Sequence, residues 1–331
     1  MKILVTGGAG FIGSNFVRHI LSHHPDYHIT NLDKLTYCGN LENLADVENM
    51  PNYRFVRGDI KEAELVEKAM KDVDCVVHLA AETHVDRSIM DAAEFIMTDV
   101  CGTFTLLEAA KKFKVKRFLQ ISTDEVYGSV PEGAAREEDR LNPSNPYSAS
   151  KAAADLLAKS YYTTYGLPVT VLRPSNNFGP YQYPEKFIPL FVTNAIMDVP
   201  LPLYGDGQNV RDWLYVEDNC RAIDLVLHEG KPGEAYNISG SSQRTNVEIA
   251  RMIVDELNKP QTLINLVKDR PGHDRRYSID GSRLENLGFV RKFEFETALK
   301  ETIEWYKQNR QWWEKIKSGE FEAYYKKQYG G

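Results

Sequence analysis

The feature that most constrains this chain is the regular alternation of short apolar runs with amphipathic stretches over its first 174 residues. Six runs, Lys2 to Thr6, His28 to Asp33, Tyr53 to Gly58, Asp74 to Ala80, Lys116 to Thr123 and Pro168 to Pro174, are β-branched or apolar and bounded by turn residues, the pattern of strands. Between them, apolar residues return every three or four positions over Phe11 to His24, Lys61 to Lys71, Asp91 to Phe113 and Pro146 to Tyr165, which predicts helices. A strand, a helix and another strand in repeated succession need crossover connections, so the expected class is α/β, a doubly wound parallel sheet covered on both faces. After Pro174 the texture changes to Pro, Gly, Asn and Tyr, with two further helices expected at Val216 to His228 and Asn246 to Asn258. At 331 residues the chain is large for one small core. We therefore expect residues 1–174 to form one domain, with a later return over about 211–230, and residues 175–331 to form mainly a smaller C-terminal lobe. The stretch SVPEGAAREEDRLNPSNP reads as a polar loop over the sheet edge.

Charge and cysteine usage narrow the partners. The net charge is −7 and the cations are interspersed among acids, so no basic face for nucleic acid or an anionic membrane is expected. Cys38, Cys75, Cys101 and Cys220 are far apart and form no CxxC pair, which fits reduced thiols better than a disulfide frame or zinc. No metal site is expected. The first residues run directly into a strand pattern, without a signal peptide's charged and apolar regions, and no apolar run approaches the roughly 20 residues of a membrane span. The expected location is the cytoplasm.

The first chemical motif is TGGAGFIG, which places Gly7, Gly10 and Gly13 between the first strand and the first helix. Glycines permit a tight turn and a close backbone approach to a pyrophosphate, which then sits on the positive end of the helix. The second strand ends at Asp33, twenty residues after Gly13, where a carboxylate accepts hydrogen bonds from ribose hydroxyls and repels a 2′-phosphate. Position and spacing together predict a Rossmann-like sheet binding NAD rather than NADP. The GxxGxxG spacing resembles that of extended short-chain dehydrogenases/reductases.

Two further constellations lie close to the same sheet edge. Tyr147 and Lys151, four residues apart at the start of a helix, share a face, so an ammonium is expected to favour the phenolate of a tyrosine that takes the proton of an alcohol being oxidised. This spacing arises by chance in a chain with 18 tyrosines, and its weight comes from following a dinucleotide motif and from Thr123 at a strand's carboxyl end. Next to Thr123 stand Asp124 and Glu125. Oxidation needs no carboxylate pair, but a ketone in a sugar ring acidifies the neighbouring carbon. One carboxylate then removes that proton while a second carboxyl group protonates a departing hydroxyl.

Across STDEVYG, AAETHVDRSI, PYSASKAAAD, RPSNNFGPYQYPEKFIPL, YGDGQNVRDWLYVED and DRPGHDRRY the chain resembles the dTDP-glucose 4,6-dehydratase family over nearly its whole length. The resemblance implies a hydro-lyase that oxidises a nucleotide sugar at C4, eliminates water across C5 and C6 and returns the hydride to C6, in the synthesis of rhamnose-type deoxysugars. It implies Tyr147 as base for the 4-hydroxyl, Lys151 as partner of that tyrosine and of the nicotinamide ribose, and Thr123 near the 4-oxygen. Glu125 is then the base at C5 and Asp124 the acid at C6. NAD contacts are implied for Gly7, Gly10, Phe11, Ile12 and Gly13, for Asp33, Lys34, Leu35 and Thr36, and for Asp59 and Ile60. Leu79, Ala80, Ala81, Thr98 and Asn177 complete that set. For the sugar nucleotide the resemblance implies His84, Thr123, Asn176, Lys186 and Phe187 on one side and Pro202, Tyr204, Arg211, Asn246, Arg270 and His273 on the other. Cations in that set suit a diphosphate, although Arg211 and Arg270 could equally pair with Asp206, Asp269 or Asp274.

The departures are Cys38, where the family commonly has alanine, a shorter loop near residue 130, and a tail, AYYKKQYGG, without a motif. On the same fold, a UDP-glucuronate decarboxylase usually has Ser at the position of Asp124, a UDP-galactose 4-epimerase lacks the Asp-Glu pair, and GDP-mannose dehydratases favour NADP, against Asp33. A non-catalytic NAD-binding regulatory protein would tolerate loss of Tyr147, Lys151 or the acid pair, all of which are present. The helices Asp91 to Phe113 and Pro146 to Tyr165 carry Phe95, Ile96, Leu106, Leu107, Tyr161 and Tyr162 on more than one face, and the resemblance implies a homodimer built on a four-helix bundle.

Overall fold

The structure is a computed structural model that describes residues 1–318, Tyr325 and Gln328. Most of the motif-free tail lies outside the described residues. The strands are β1 (Lys2–Thr6), β2 (His28–Asp33), β3 (Tyr53–Arg57), β4 (Cys75–His78), β5 (Arg117–Ile121), β6 (Val169–Pro174), β7 (Asn176–Phe178), β8 (Leu201–Tyr204), β9 (Val210–Tyr215), β10 (Ala235–Ile238), β11 (Gln243–Thr245) and β12 (Ile264–Val267). Helices of the first half are α1 (Phe11–His23), α2 (Ala63–Met70), α3 (Val85–Met90), α4 (Ala93–Phe95), α5 (Thr103–Phe113) and α6 (Pro146–Tyr165). The second half adds α7 (Phe187–Ile196), α8 (Val216–Glu229), α9 (Asn246–Glu256), α10 (Ser282–Asn286), α11 (Phe295–Gln308) and α12 (Arg310–Lys317).

Seven parallel strands form the main sheet in the order β10-β6-β5-β4-β1-β2-β3. Alternation along each strand divides the core. Ile3 and Val5, Cys75 and Val77, and Leu119 and Ile121 pack with α1 and α8 on one face. Leu4, Val76 and Phe118 pack with α2, α5 and α6 on the other. The strand order reverses between β1 and β4, and a crevice opens there at the carboxyl ends of the strands. A separate core joins α7, α9, α11 and α12 to β8 and to Trp213 and Tyr215 of β9. The expected α/β class with a Rossmann-like doubly wound sheet and a smaller C-terminal lobe is the observed one.

Two local expectations need correction, two elements, β10 and α7, lie outside the expected set, and the polar loop gains partners in the second half. The helix expected over Asp91 to Phe113 is three pieces, α4, a π-helical turn at Ile96–Gly102 and α5, and a separate α3 precedes it. Apolar periodicity alone does not distinguish a π turn from the α-helix around it. The chain returns to the main sheet through α8 and β10, whereas Val210–Tyr215 belongs to a three-stranded sheet with β7 and β11, so only part of the 211–230 stretch joins the first half. β10 is four fully buried residues, too short to show a period. α7 was missed because FIPLFVTNAI is buried over most of its circumference, which leaves no amphipathic stripe. The polar loop of the 130s is stitched to the second half, with Val130 N–H donating to Arg276 O, Ala135 N–H to Ser278 O, and the buried Glu137 accepting from Asn237 N–H at 2.9 Å.

Candidate active site

The turn from β1 into α1 is set by close backbone approach. Gly7 has φ +72°, and a Cβ there would lie 2.6 Å from Ala80 N, while one on Gly13 would lie 2.2 Å from Gly7 O. Only hydrogen fits at either place. α1 starts with Gly10 as its N-cap and no side-chain cap, so its first N–H groups face the crevice. At the end of β2, Asp33 accepts Ala9 N–H at 2.9 Å on one oxygen and Leu35 N–H at 2.8 Å on the other. Burial pushes its carboxyl up and these two N–H groups oppose that rise. Each oxygen keeps a lone pair for a ligand hydroxyl.

A cleft with about 1520 Å³ of empty space runs from this turn across the ends of β1, β4 and β5. Its walls bring together Gly7, Gly10, Phe11, Ile12 and Gly13, then Asp33, Lys34 and Thr36, then Asp59 and Ile60. Leu79, Ala80, Ala81, Thr98, Asn177, Tyr147 and Lys151 line it as well. Leu35 does not: its side chain packs on the core beneath α1, and it contributes only its N–H to Asp33. The glycine approaches, the uncapped helix start and the oriented Asp33 carboxylate suit a dinucleotide.

The acid pair sits where it does because β5 passes directly into a 3₁₀ turn at Asp124–Tyr127, capped by Thr123 Oγ1 accepting Glu125 N–H at 3.2 Å. Asp124 is 2% exposed, and its Oδ2 has no hydrogen-bond partner among the described residues. Burial, then the negative charges of Glu125 and Asp212, push its carboxyl well above the usual range, with Arg211 opposing. These surroundings favour the protonated form of Asp124, the form that can donate a proton. The more accessible Glu125 is 3.3 Å from Tyr277 Oη, whose one hydrogen has its shorter contact, 2.8 Å, with Asp274 Oδ2.

Helix α6 presents Tyr147 and Lys151 from a capping box between Asn145 and Ser148, with Pro146 at its first position. Lys151 Nζ donates to Ile121 O at 2.7 Å. Against the sequence expectation, Tyr147 is pushed up: burial raises its phenol well above the usual value, Glu125 and Asp99 add to that, and a hydrogen bond to Thr123 opposes it. Spacing on one helix face fixed proximity but not the charges that reach the phenol from other elements. Asp99 itself was missed. The π turn aims it inward, where it accepts Ser150 Oγ–H at 2.6 Å and Glu82 N–H at 2.9 Å, and burial lifts its pKa to about 6 against the pull of Lys151.

A second cleft, with about 920 Å³ of empty space, shares Glu125, Asn176, Asn177, Gln182 and Lys186 with the first. It gathers His84, Phe187, Pro202, Tyr204, Arg211, Asn246, Arg270 and His273, while Thr123 lies in the first cleft alone. The expected alternative pairings are redistributed. Asp206 binds Arg275, Arg270 Nη1 reaches Asp86 Oδ1 at 3.0 Å, and Arg211 spans the Tyr277 ring at 4.1 Å and donates to the Asp274 carbonyl. His273 is lowered to about 4, first by burial and then by Arg270, and His84 is held well below its ordinary value by burial, Lys186 and Arg270, so both are neutral at pH 7. The cleft's positive charge thus comes from Lys186, Arg211 and Arg270. Buried Asn176 Oδ1, Asn177 Oδ1 and Arg270 Nε have no hydrogen-bond partner among the described residues, which suits a polar ligand. Glu185, Gln182 and Tyr277 line this cleft and were not singled out from sequence, although Tyr277 closes the DRPGHDRRY segment.

A family model described as GDP-mannose 4,6 dehydratase matches residues 4–302. The dTDP-glucose 4,6-dehydratase of Streptomyces niveus is 53% identical over 323 residues, covering 96% of each chain. The dTDP-glucose 4,6-dehydratase of Streptomyces venezuelae, solved with NAD and TYD bound, is 50% identical with a TM-score of 0.94 over 96% of this chain and 100% of that one. That of Bacillus anthracis, solved in complex with NAD, is 51% identical with a TM-score of 0.90 over 96% of this chain and 99% of that one. The chain belongs to the family that the GDP-mannose 4,6 dehydratase model describes, among its dTDP-glucose 4,6-dehydratase members.

Proposed function

We propose that the protein is an NAD-dependent hydro-lyase that converts dTDP-glucose to dTDP-4-keto-6-deoxyglucose, as in rhamnose-type deoxysugar synthesis. The observation that carries this reading is the buried Asp124, whose surroundings favour its protonated form, next to the more accessible Glu125, at the strand end that also faces Tyr147. Bound NAD supplies a hydride acceptor at the sugar C4 and, once reduced, a hydride donor at C6. Asp33 orients the adenosine ribose through its remaining lone pairs and disfavours a 2′-phosphate. In its phenolate form, which the positive charges of Lys151 and of bound oxidised cofactor would favour against the rise imposed by burial, Glu125 and Asp99, Tyr147 takes the proton of the 4-hydroxyl, with Thr123 Oγ1 holding the same oxygen. Glu125 then removes the acidified C5 proton and Asp124 gives its proton to the departing 6-hydroxyl, so one water leaves. With the hydride returned to C6, Glu125, its proton exchanged with solvent, protonates C5, and release of the proton from Tyr147 with reprotonation of Asp124 through solvent closes the cycle. Lys186, Arg211 and Arg270 hold the diphosphate.

The same reading divides the chain into a cofactor domain, 1–174 with its later returns, and a mainly substrate-binding part, 175–331. It also makes the chain a homodimer. Exposed Ile96, Phe104, Leu156, Tyr162 and Tyr165 form an apolar surface across α5, α6 and the π turn, which supports pairing of these helices with a second copy. Phe95, Leu106, Leu107 and Tyr161, in contrast, are buried within the chain. A cytoplasmic location is supported by four cysteines unpaired among the described residues, none of whose helices is long and apolar enough to cross a membrane. The test is turnover of dTDP-glucose in deuterated water. One deuteron at C5 of a 4-keto-6-deoxy sugar, with no net NADH released, is expected. Conversion of UDP-glucuronate or UDP-galactose instead would move the chemistry to decarboxylation or epimerisation.

A further inference from the structure

We propose that the protein carries a binding site for a divalent transition-metal ion such as zinc(II), formed by His24, Asp224 and His228 where α1 ends against α8, away from the reaction clefts. The three side chains place ligand atoms within 4.8 Å of one another. Asp224 Oδ1 lies 3.1 Å from His24 Nε2 and 3.2 Å from His228 Nδ1. A four-coordinate zinc ion with bonds of about 2.0–2.2 Å keeps its ligand atoms roughly 3.3 Å apart, so an ion replaces the shared hydrogen atoms with small side-chain movements.

The surroundings hold these groups in place. The other carboxylate oxygen, Oδ2, is 2.9 Å from His19 Nε2 and 3.0 Å from His24 Nε2, so His24 faces both oxygens while His228 Nδ1 approaches Oδ1. Tyr27 stacks on His24 with ring centroids 4.5 Å apart, and its Oη lies 2.8 Å from His228 Nε2. His228 Nδ1 also lies 2.8 Å from the Asp224 carbonyl oxygen, so an ion bound at Nδ1 takes the place of the proton shared there, and Tyr27 Oη then accepts the proton carried by Nε2, which fixes the ligating nitrogen. Two imidazoles and one carboxylate suit zinc, nickel or copper rather than magnesium or calcium. None of these residues lines either cleft. The site clamps the C-terminal end of the helix whose N-terminal end faces the pyrophosphate position, so its effect is on stability and not on the reaction itself. The separation of His24 from the other two ligands by about 200 positions hid the cluster from sequence reading.

Cobalt(II) titrated into chelator-treated full-length protein tests this, with zinc(II) competition and thermal denaturation as second readouts. We expect the visible absorption of a tetrahedral cobalt site, saturation at one ion per chain, displacement by zinc, and a melting temperature that rises with zinc. His24→Gln and His228→Gln, at side chains about a quarter to a third exposed, should each weaken binding at least about tenfold while turnover stays at the wild-type level. Saturable binding that survives both substitutions together, or no saturable binding up to millimolar ion, would overturn the proposal.

Discussion

The two clefts recognise their ligands by different means. The first is built chiefly from backbone: glycines at close approach, an uncapped helix start, and strand ends whose order reverses between β1 and β4. The second is built from charged and aromatic side chains carried by distant segments, with Asp86 from the first half holding Arg270 from the second. A backbone device is set by a few contiguous residues, whereas a side-chain device exists only after the two halves have met. Substitutions should therefore act differently in the two clefts, abolishing binding or folding in the first and grading affinity in the second.

The shared floor of the clefts should show the largest effects. Asp124→Asn is expected to lower dehydration by about 10²–10⁴ while oxidation at C4 continues, so reduced cofactor should accumulate on the protein in a rapid absorbance measurement. Tyr147→Phe should lower turnover by a similar factor without that accumulation, and reduced cofactor building up in this variant would reverse the two assignments. In the backbone cleft, Gly7→Ala sets a Cβ 2.6 Å from Ala80 N at a positive φ, and we expect a loss on the order of 3 kcal/mol in stability together with loss of copurifying NAD. Denaturant titration and cofactor content check this. Near-normal cofactor binding would mean that the backbone approach is not needed.

Asp99 tests the link between the π turn and Lys151. Its pKa is about 6 folded against about 3.9 unfolded, so the folded state binds the extra proton between those values. A contribution on the order of 3 kcal/mol is then present below pH 4 and lost as pH rises through 6. Asp99→Asn should flatten this part of the stability profile in denaturant titrations between pH 4 and 7, and an unchanged slope would count against the assignment. The smallest effect is expected in the side-chain cleft. Arg270→Ala should raise KM for the sugar nucleotide by about tenfold to a hundredfold with kcat largely kept, since a charge-assisted contact contributes about 1.5–3 kcal/mol. A fall in kcat of the same size would move Arg270 from binding to the chemistry.

Much of the frame was legible from local pattern. Alternating apolar residues in six runs, the glycine spacing after Thr6 and Asp33 at the end of β2 specify backbone conformation and burial directly, because strand period and tight turns depend on near neighbours. Elements with no period of their own were not legible: β10 owes its place to the edge of β6, α7 is apolar nearly all round, and the π turn looks like the helix it interrupts. Among residues expected at the cofactor, Leu35 was placed by its neighbours in sequence, but its left-handed backbone at φ 58° presents its N–H to Asp33 and leaves its side chain in the core.

Protonation divides the two kinds of information most sharply. Sequence placed Asp124 beside Glu125 and Tyr147 four residues before Lys151, but it assigned the tyrosine a lowered pKa that its surroundings oppose. The residue types and their order set which groups are available. Which of them holds a proton follows from desolvation and from charges arriving through space, Asp212 and Arg211 at Asp124, and Glu125 and Asp99 at Tyr147, and those distances exist only in the folded chain.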